Sequence, residues 1–341
     1  MRAATYTADE PSLVISDVPD PVPAPDGLVL RVDACGICGS DLHMAHNKHA
    51  PPGTVFGHEF SGTVVAVGAD VTAHREGDRV VGFPLGSCGR CEGCRAGLPS
   101  RCGQSVLTGA QVAGAYAEHV ALPARDAWAL PDGLSSEQGA LVEPLAVGLH
   151  ALNSTPRADG EPVLVLGAGP VGLAVALWAR ALGAREVVVS DPVAHRRALA
   201  ERLGATPVDP TTQDVMQEFN KVAGGLPKAV VECIGRPGAT TLATDVATNG
   251  AHVTFVGACT SPDTYLPIIP TMKELTLHYV VYYHRDDFTT TIEHLASGRI
   301  DPLPLVTARI GLDELPARFD ALLGVNDDCK VLITPGEERK P

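Results

Sequence analysis

The sequence predicts an α/β protein, in which a β-rich segment precedes a doubly wound parallel sheet. Three observations predict it. Before residue 150, short β-like runs are broken by Pro and Gly. After residue 160, aliphatic runs alternate with helical patterns. At the change of texture a glycine-rich turn joins a strand to a helix.

The early runs are Leu28–Val32, Gly62–Val67, Arg79–Gly82 and Glu118–Leu122. They are short, β-branched and bounded by turn formers, which reads as an irregular all-β domain. Val163–Gly167 then opens the second part, followed by a helical pattern from Val171 to Gly183. Glu186–Asp191 is a second strand and Val193–Leu203 a second helix. Further strands are expected at Ala229–Cys233 and His252–Val256, with a helix between them. Strands alternating with helices imply a parallel sheet. The tail carries helices across Asp287–Ser297 and Leu312–Leu323 and a last strand at Lys330–Thr334. Pro335–Pro341 reads as a loose end. Pro162–Ala179 is free of charge over 18 residues. Four helix breakers in its first half favour strand, turn and buried helix over a membrane span.

The bulk numbers narrow the function. At 341 residues the chain is long for one core. A net charge of −14 argues against a nucleic-acid surface. Met1–Asp9 shows no apolar stretch of a signal peptide, and the free-looking cysteines point to a reducing compartment, the cytoplasm.

Cys88, Cys91, Cys94 and Cys102 are separated by two, two and seven residues. Thiols so close pair as disulfides only with strain, but they can wrap one tetrahedral zinc. Gly89, Gly93, Gly97 and Pro99 let the loop fold back on a metal. The alternatives are accidental free thiols or a redox CxxC. The latter needs a helix starting at the first cysteine, which the glycines oppose. Four thiolates leave no open position, so this zinc is structural and the chemistry lies elsewhere.

Gly167-Ala168-Gly169-Pro170-Val171-Gly172 is a GxGxxG between strand and helix, the context that makes the pattern a dinucleotide fingerprint. Gly167 permits the turn, Gly169 admits a pyrophosphate, and Gly172 lets helix and strand pack closely. Asp191 follows Gly172 by 19 residues and ends the next strand. Its carboxylate can accept both ribose hydroxyls and repel a 2′-phosphate, which favours NAD. It could instead cap the next helix, with Pro192 at the first position. Arg196 either reaches the ribose or lies on the surface.

Two more segments carry metal-ligand types: Cys35-Gly36-Ile37-Cys38-Gly39-Ser40-Asp41-Leu42-His43 and Gly57-His58-Glu59. With the cysteine loop, Glu143-Pro144-Leu145 and the nucleotide fingerprint, they resemble the zinc-dependent medium-chain dehydrogenases over nearly the whole chain. Glu143-Pro144-Leu145 with Cys38 looks most like the polyol, butanediol and threonine dehydrogenase branch. The resemblance implies a GroES-like catalytic domain over 1–150, completed by 287–341, and a Rossmann domain over 151–286. It implies two zincs per subunit and NAD, a homotetramer with a homodimer as the minimum, and an alcohol converted to its ketone. Cys38 and His58 would bind the catalytic zinc, and Glu59 would come on and off. Glu143 would stand where other branches place a second cysteine. Asp41 would orient His58, Ser40 would take the alcohol proton, and His43 would pass it to solvent. Cys38, Glu59 and Glu143 together oppose two positive charges with three negative ones, so only one glutamate is expected on the metal with substrate bound.

In sorbitol-type relatives an arginine before the Asp287–Ser297 helix holds sugar hydroxyls. Here Tyr283 falls at that position, with Arg285 nearby and an apolar Tyr279–Tyr282 before it. The reading therefore leans to a less polar secondary alcohol, with polyol or amino-alcohol oxidation as the alternative. A nucleotide-sensing protein without turnover is the non-enzymatic alternative. His46 and His49 read as solvated, and Leu275–Tyr283 as a segment that includes a strand near the sheet edge, which invites a second subunit.

Overall fold

The computed structural model describes residues 1–324 and 326–336. Of the tail expected to be loose, 337–341 lie outside the described residues. Two compact units share the chain. One comprises Met1–Glu143, His284–Gly298 and Val306 onward; the other comprises Pro144–Tyr283 and Arg299–Leu305. The sequence placed the corresponding boundaries at 150 and 286. The division differs because the helix Val142–Asn153 runs through the first boundary, and because Arg299–Leu305 returns to the second unit.

The first unit is built on a seven-stranded sheet. Its order is Val306–Gly311, Lys330–Thr334, Gly27–Gly36, Glu59–Val67, Arg79–Gly82 and Ala127–Ala129, with His119–Pro123 also paired to Gly27–Gly36. The C-terminal strand is integral to this sheet: Leu332 pairs with Gly36 and Ile333 with Cys35. On its other edge Gly36 pairs with Glu59. Residues some 270–300 positions apart therefore meet at one strand end. Leu28, Leu30, Val32, Phe56, Phe60 and Phe319 fill the core beneath.

The second unit is a six-stranded parallel sheet. Its order is Thr206–Val208, Val187–Ser190, Val163–Leu166, Ala229–Glu232, His252–Phe255 and Thr276–Tyr279. Val163–Leu166 is wholly aliphatic and wholly buried, as a parallel strand covered on both faces requires. The chain runs outward from this strand one way, then crosses to Ala229–Glu232 and runs the other way. The break in order beside Val163–Leu166 is the switch point where such sheets bind ligands. Thr276–Tyr279 is the strand expected within Leu275–Tyr283, and it closes the sheet as an edge.

The helices expected from sequence start within a few residues of the observed ones, at Pro170–Ala181, Ala194–Arg202 and Arg285–Ala296. The Leu312–Leu323 helix divides into a 3₁₀ turn at Leu312–Glu314 and a helix at Leu315–Leu322. Among the described residues no helix is long and apolar enough to cross a membrane.

Candidate metal centres and nucleotide site

The four-cysteine loop folds around a point. Cys88, Cys91, Cys94 and Cys102 bring their sulfurs within 4.8 Å of one another. Cys91 and Cys94 are 3.4 Å apart, and Cys88 and Cys94 3.8 Å. Tetrahedral zinc with Zn–S near 2.3 Å needs sulfurs about 3.8 Å apart, whereas a disulfide needs about 2.05 Å. The donor set therefore fits zinc. Backbone N–H groups of Cys88, Cys94 and Gln104 point at these sulfurs over 3.4–3.5 Å. Such donors favour thiolates: N–H groups of Arg90 and Cys91 pull the Cys88 thiol down to about 6. A one-turn helix at Glu92–Arg95 starts after Cys91, not at the first cysteine.

The second cluster sits where the strands of the first unit converge. Ligand atoms of Cys38, His58 and Glu59 lie within 4.8 Å of one another. Cys38 stands at the N-cap position of the helix Gly39–His46, with no hydrogen bond from its side chain to the helix backbone. His58 and Glu59 are 5% and 1% exposed. Gly57 permits this approach. It has φ +97°, and a Cβ there would stand 2.5 Å from the Tyr116 ring.

Asp41 is fully buried and faces His58, with Oδ1 3.2 Å from Nδ1. The Tyr116 hydroxyl donates to its other oxygen over 2.7 Å. This carboxylate directs Nδ1 away from the cluster and leaves Nε2 to serve as ligand. Burial disfavours a charged His58, but Asp41 and Cys38 outweigh it and hold the imidazole pKa well above its usual value. Ser40 donates to the Cys38 sulfur over 3.3 Å. His43, one helical turn beyond Ser40, is exposed, as are His46 and His49. Cys35 is buried with its thiol pushed up by burial, and it stands outside the ligand group. Glu143 is 6% exposed in the first turn of Val142–Asn153 and is not one of the three clustered ligands.

One functional residue was missed by the sequence reading. Lys330 is 2% exposed and donates to both oxygens of Glu59 over 2.7 Å. Its third hydrogen bond goes to the Ile37 carbonyl at 3.1 Å. Burial opposes its charge, yet Glu59 and Cys38 hold its pKa above the usual lysine value. Gly36 lies between the partners, and a Cβ there would fall 2.0 Å from Glu59 Oε2. Lys330 thus sets a positive charge directly against Glu59, in the cluster that gathers Cys38, His58 and Glu59.

In the second unit the three glycines of the turn differ in the room around them. Gly167 has φ +95°. A Cβ on Gly172 would meet the Gly167 carbonyl at 1.9 Å, while one on Gly169 would meet nothing within 4 Å. Gly169 thus fronts open space at the start of the helix Pro170–Ala181, a cradle suited to a diphosphate. Asp191 has a second task. One oxygen accepts from Ala168 N and the other from Val193 N, both at 2.8 Å. It ties the glycine turn to the next helix, and each oxygen keeps a lone pair for a ribose hydroxyl. Arg196 is 4.0 Å from this carboxylate. Arg197 is held more firmly, between the Asp191 carbonyl and Asp209.

Arg285, close to Tyr283 in sequence, pairs with buried Asp126, donates to the Arg125 carbonyl, and lies 4.9 Å over the Phe83 and Trp128 rings. It anchors its helix, and its guanidinium is committed there. Tyr283 is 1% exposed.

Comparison with known proteins shows the family. Residues 24–132 match the alcohol dehydrogenase GroES-like domain, and 170–297 match the zinc-binding dehydrogenase domain. The chain is 32% identical over 339 residues to an L-threonine 3-dehydrogenase of Mesorhizobium japonicum, covering 94% of this chain and 95% of that one. An alcohol dehydrogenase structure from Escherichia coli with NADH superposes at TM-score 0.90 and 27% identity, covering 98% and 99% of the two chains. A zinc-binding dehydrogenase from Sinorhizobium meliloti with NADP does so at 0.87 and 32%, with the same coverage. The chain belongs to the zinc-binding alcohol dehydrogenase family, and is an oxidoreductase with a GroES-like and a Rossmann part.

Proposed function

We propose that this enzyme oxidises a secondary alcohol to its ketone with NAD, and runs the reverse reaction, in the cytoplasm. The clustering of Cys38, His58 and Glu59 beside the Ser40 hydroxyl carries this reading. Cys38 and His58 hold the catalytic metal, with Glu59 or Glu143 as the changing ligand. Zinc bound there supplies a Lewis acid for the alcohol oxygen. Ser40 Oγ takes the substrate proton, and exposed His43 passes it to solvent. Asp41, itself fixed by Tyr116, keeps His58 in the ligating orientation. Backbone N–H groups from Gly169 onward hold the diphosphate, and Asp191 takes the ribose hydroxyls.

The commitment of Arg285 to Asp126 supports a less polar substrate than a sugar polyol. Identity to a threonine dehydrogenase favours a second reading, an amino alcohol. A panel of secondary alcohols, 2,3-butanediol, sorbitol and L-threonine with NAD and NADP tests both. Reduced nicotinamide absorbance should rise fastest with the apolar secondary alcohols. Rates confined to threonine would establish the second reading, and no rate with any alcohol would refute both.

Relatives bind either NADH or NADP, so cofactor choice rests on this chain's own residues. Asp191→Ala should lower kcat/KM for NAD by roughly tenfold to a hundredfold, the loss of a charge-assisted hydrogen bond, and narrow the gap to NADP. A wild type that already prefers NADP contradicts this assignment.

Glu143→Ala should cut kcat or catalytic zinc occupancy by roughly tenfold, the usual cost of a residue supporting a metal. The cysteine-loop zinc should remain. Full activity with two zincs per chain would leave Cys38, His58 and Glu59 as the whole shell.

Assembly is a tetramer, with a dimer as the minimum. The edge strand Thr276–Tyr279 offers an unpaired ladder, beside Leu266, Met272, Tyr279 and Val281 at 61–73% exposure. Light scattering should give a multiple of 35.5 kDa; the monomer mass at every dilution would rule the assembly out.

A further inference from the structure

Ser190 and Val208 pair at the ends of two parallel strands, so Asp191 and Asp209 leave the sheet side by side. Asp191 is the proposed ribose acceptor. Asp209 has no role in the proposed reaction, and neither has the arginine that joins the two. Arg197 stands on the helix Ala194–Arg202, which follows Asp191. Its Nη1 donates to the Asp191 carbonyl over 2.8 Å, and its Nη2 lies 2.9 Å from Asp209 Oδ2. Asp209 is itself pinned. Its Oδ1 accepts from Thr211 N at 2.9 Å and from Thr211 Oγ1 at 2.6 Å, and its N–H donates to Gln213 Oε1 at 2.8 Å. The backbone of Arg197 closes a ring on the same loop. Arg197 N donates to the Val193 carbonyl over 3.1 Å, and Val193 N donates to Asp191 Oδ1 over 2.8 Å. The neighbouring Arg196 reaches Asp191 only at 4.0 Å and is more exposed, at 36% against 19% for Arg197.

A planar guanidinium that bridges a carbonyl and a carboxylate fixes direction as well as charge. Here it ties the loop that carries Asp191 to a second, independently braced strand end. We infer that Arg197, braced by Asp209, is a positioning residue for cofactor selection, holding in place the Asp191 loop whose carboxylate takes the ribose hydroxyls. The inference rests on the ribose role proposed for Asp191. It assigns Arg197 no contact with the cofactor.

Calorimetry with 5′-AMP and 2′,5′-ADP on the zinc-loaded enzyme tests it. These probes differ by the 2′-phosphate and carry no nicotinamide. Arg197→Met should weaken 5′-AMP about tenfold, the scale of one charge-assisted hydrogen bond. It should weaken 2′,5′-ADP less, so that the preference narrows. An arginine acting only as a cation for phosphate would give the opposite order. Asp209→Asn leaves Arg197 and its bond to the carbonyl in place, and should move both probes the same way by a smaller factor. It replaces Arg197→Met throughout if that variant folds poorly. Coupling separates positioning from mere support of the fold. In an Asp191→Ala background, Arg197→Met should cost 5′-AMP less than about twofold, because the group it positions is gone. Unchanged 5′-AMP affinity in Arg197→Met, the same loss with and without Asp191, or a larger loss for 2′,5′-ADP overturns the inference. If Asp191→Ala alone weakens 5′-AMP while Arg197→Met does not, only this inference falls. If Asp191→Ala leaves 5′-AMP binding unchanged, the ribose role falls and this inference with it.

Discussion

Lys330→Met should lower the melting temperature and change how tightly the catalytic metal is held. The substitution removes the cation from a pair whose members are 2% and 1% exposed. Breaking a buried pair from one side leaves the other charge uncompensated, at a cost of about 3–5 kcal/mol. In a chain of this size that is a fall in Tm on the order of 10 °C. Glu59 has two remedies. It can take a proton, or it can turn to the metal beside Cys38 and His58. The second is open only when zinc is present, so the loss of stability should be larger in zinc-stripped than in zinc-loaded enzyme. A permanently bound Glu59 should also slow zinc release to a chelator and lower kcat. Lys330→Arg keeps the charge and should recover most of the stability. Gly36→Ala should disturb the same pair from the other side, because its methyl would occupy the place of Glu59 Oε2. Equal melting of wild type and Lys330→Met, with and without zinc, would show that the pair does not govern Glu59.

What could be read from the chain, and what could not, follows from sequence distance. The cysteine loop spans fifteen residues, and the glycine fingerprint six. Their ligands and turns are local, so spacing alone states the geometry. The pairing of His58 with Asp41 was accessible through family resemblance, but Tyr116, which fixes Asp41, carries no local signature. Lys330 stands 271 residues from Glu59. Only the sheet register, with Gly36 between the C-terminal strand and Glu59–Val67, brings them together. Its one sequence signal is a lysine just ahead of the aliphatic run Val331–Ile333. The place of Arg285 was hidden for a related reason: Asp126, Phe83 and Trp128, which hold it, are all distant in sequence. Asp191 was given a ribose role or a capping role, and in the structure it already holds backbone on both sides.

Cys94→Ser should release the metal of the cysteine loop and leave the catalytic cluster intact. The Cys94 sulfur lies 3.4 Å from that of Cys91 and 3.8 Å from that of Cys88. A serine hydroxyl is a poor replacement for a thiolate on zinc. The loop has little else to hold it. Its helix is four residues long and buries none of them, and its two strand pieces, Leu85–Gly86 and Val106–Leu107, are two residues each. Such a segment depends on its metal, and structural zinc contributes on the order of 10 kcal/mol where no other core exists. The net loss here is smaller, because the seven-stranded sheet stands without the loop. Metal analysis should therefore fall from two zincs per chain to one, with Cys38 and His58 still loaded. Limited proteolysis should cut first between residues 88 and 102, and thermal unfolding should begin earlier or end in aggregation. Activity per remaining catalytic zinc should persist at temperatures where the sheet is folded. A Cys94→Ser enzyme that keeps two zincs and melts as the wild type does would show that the loop is held by something other than its four thiolates.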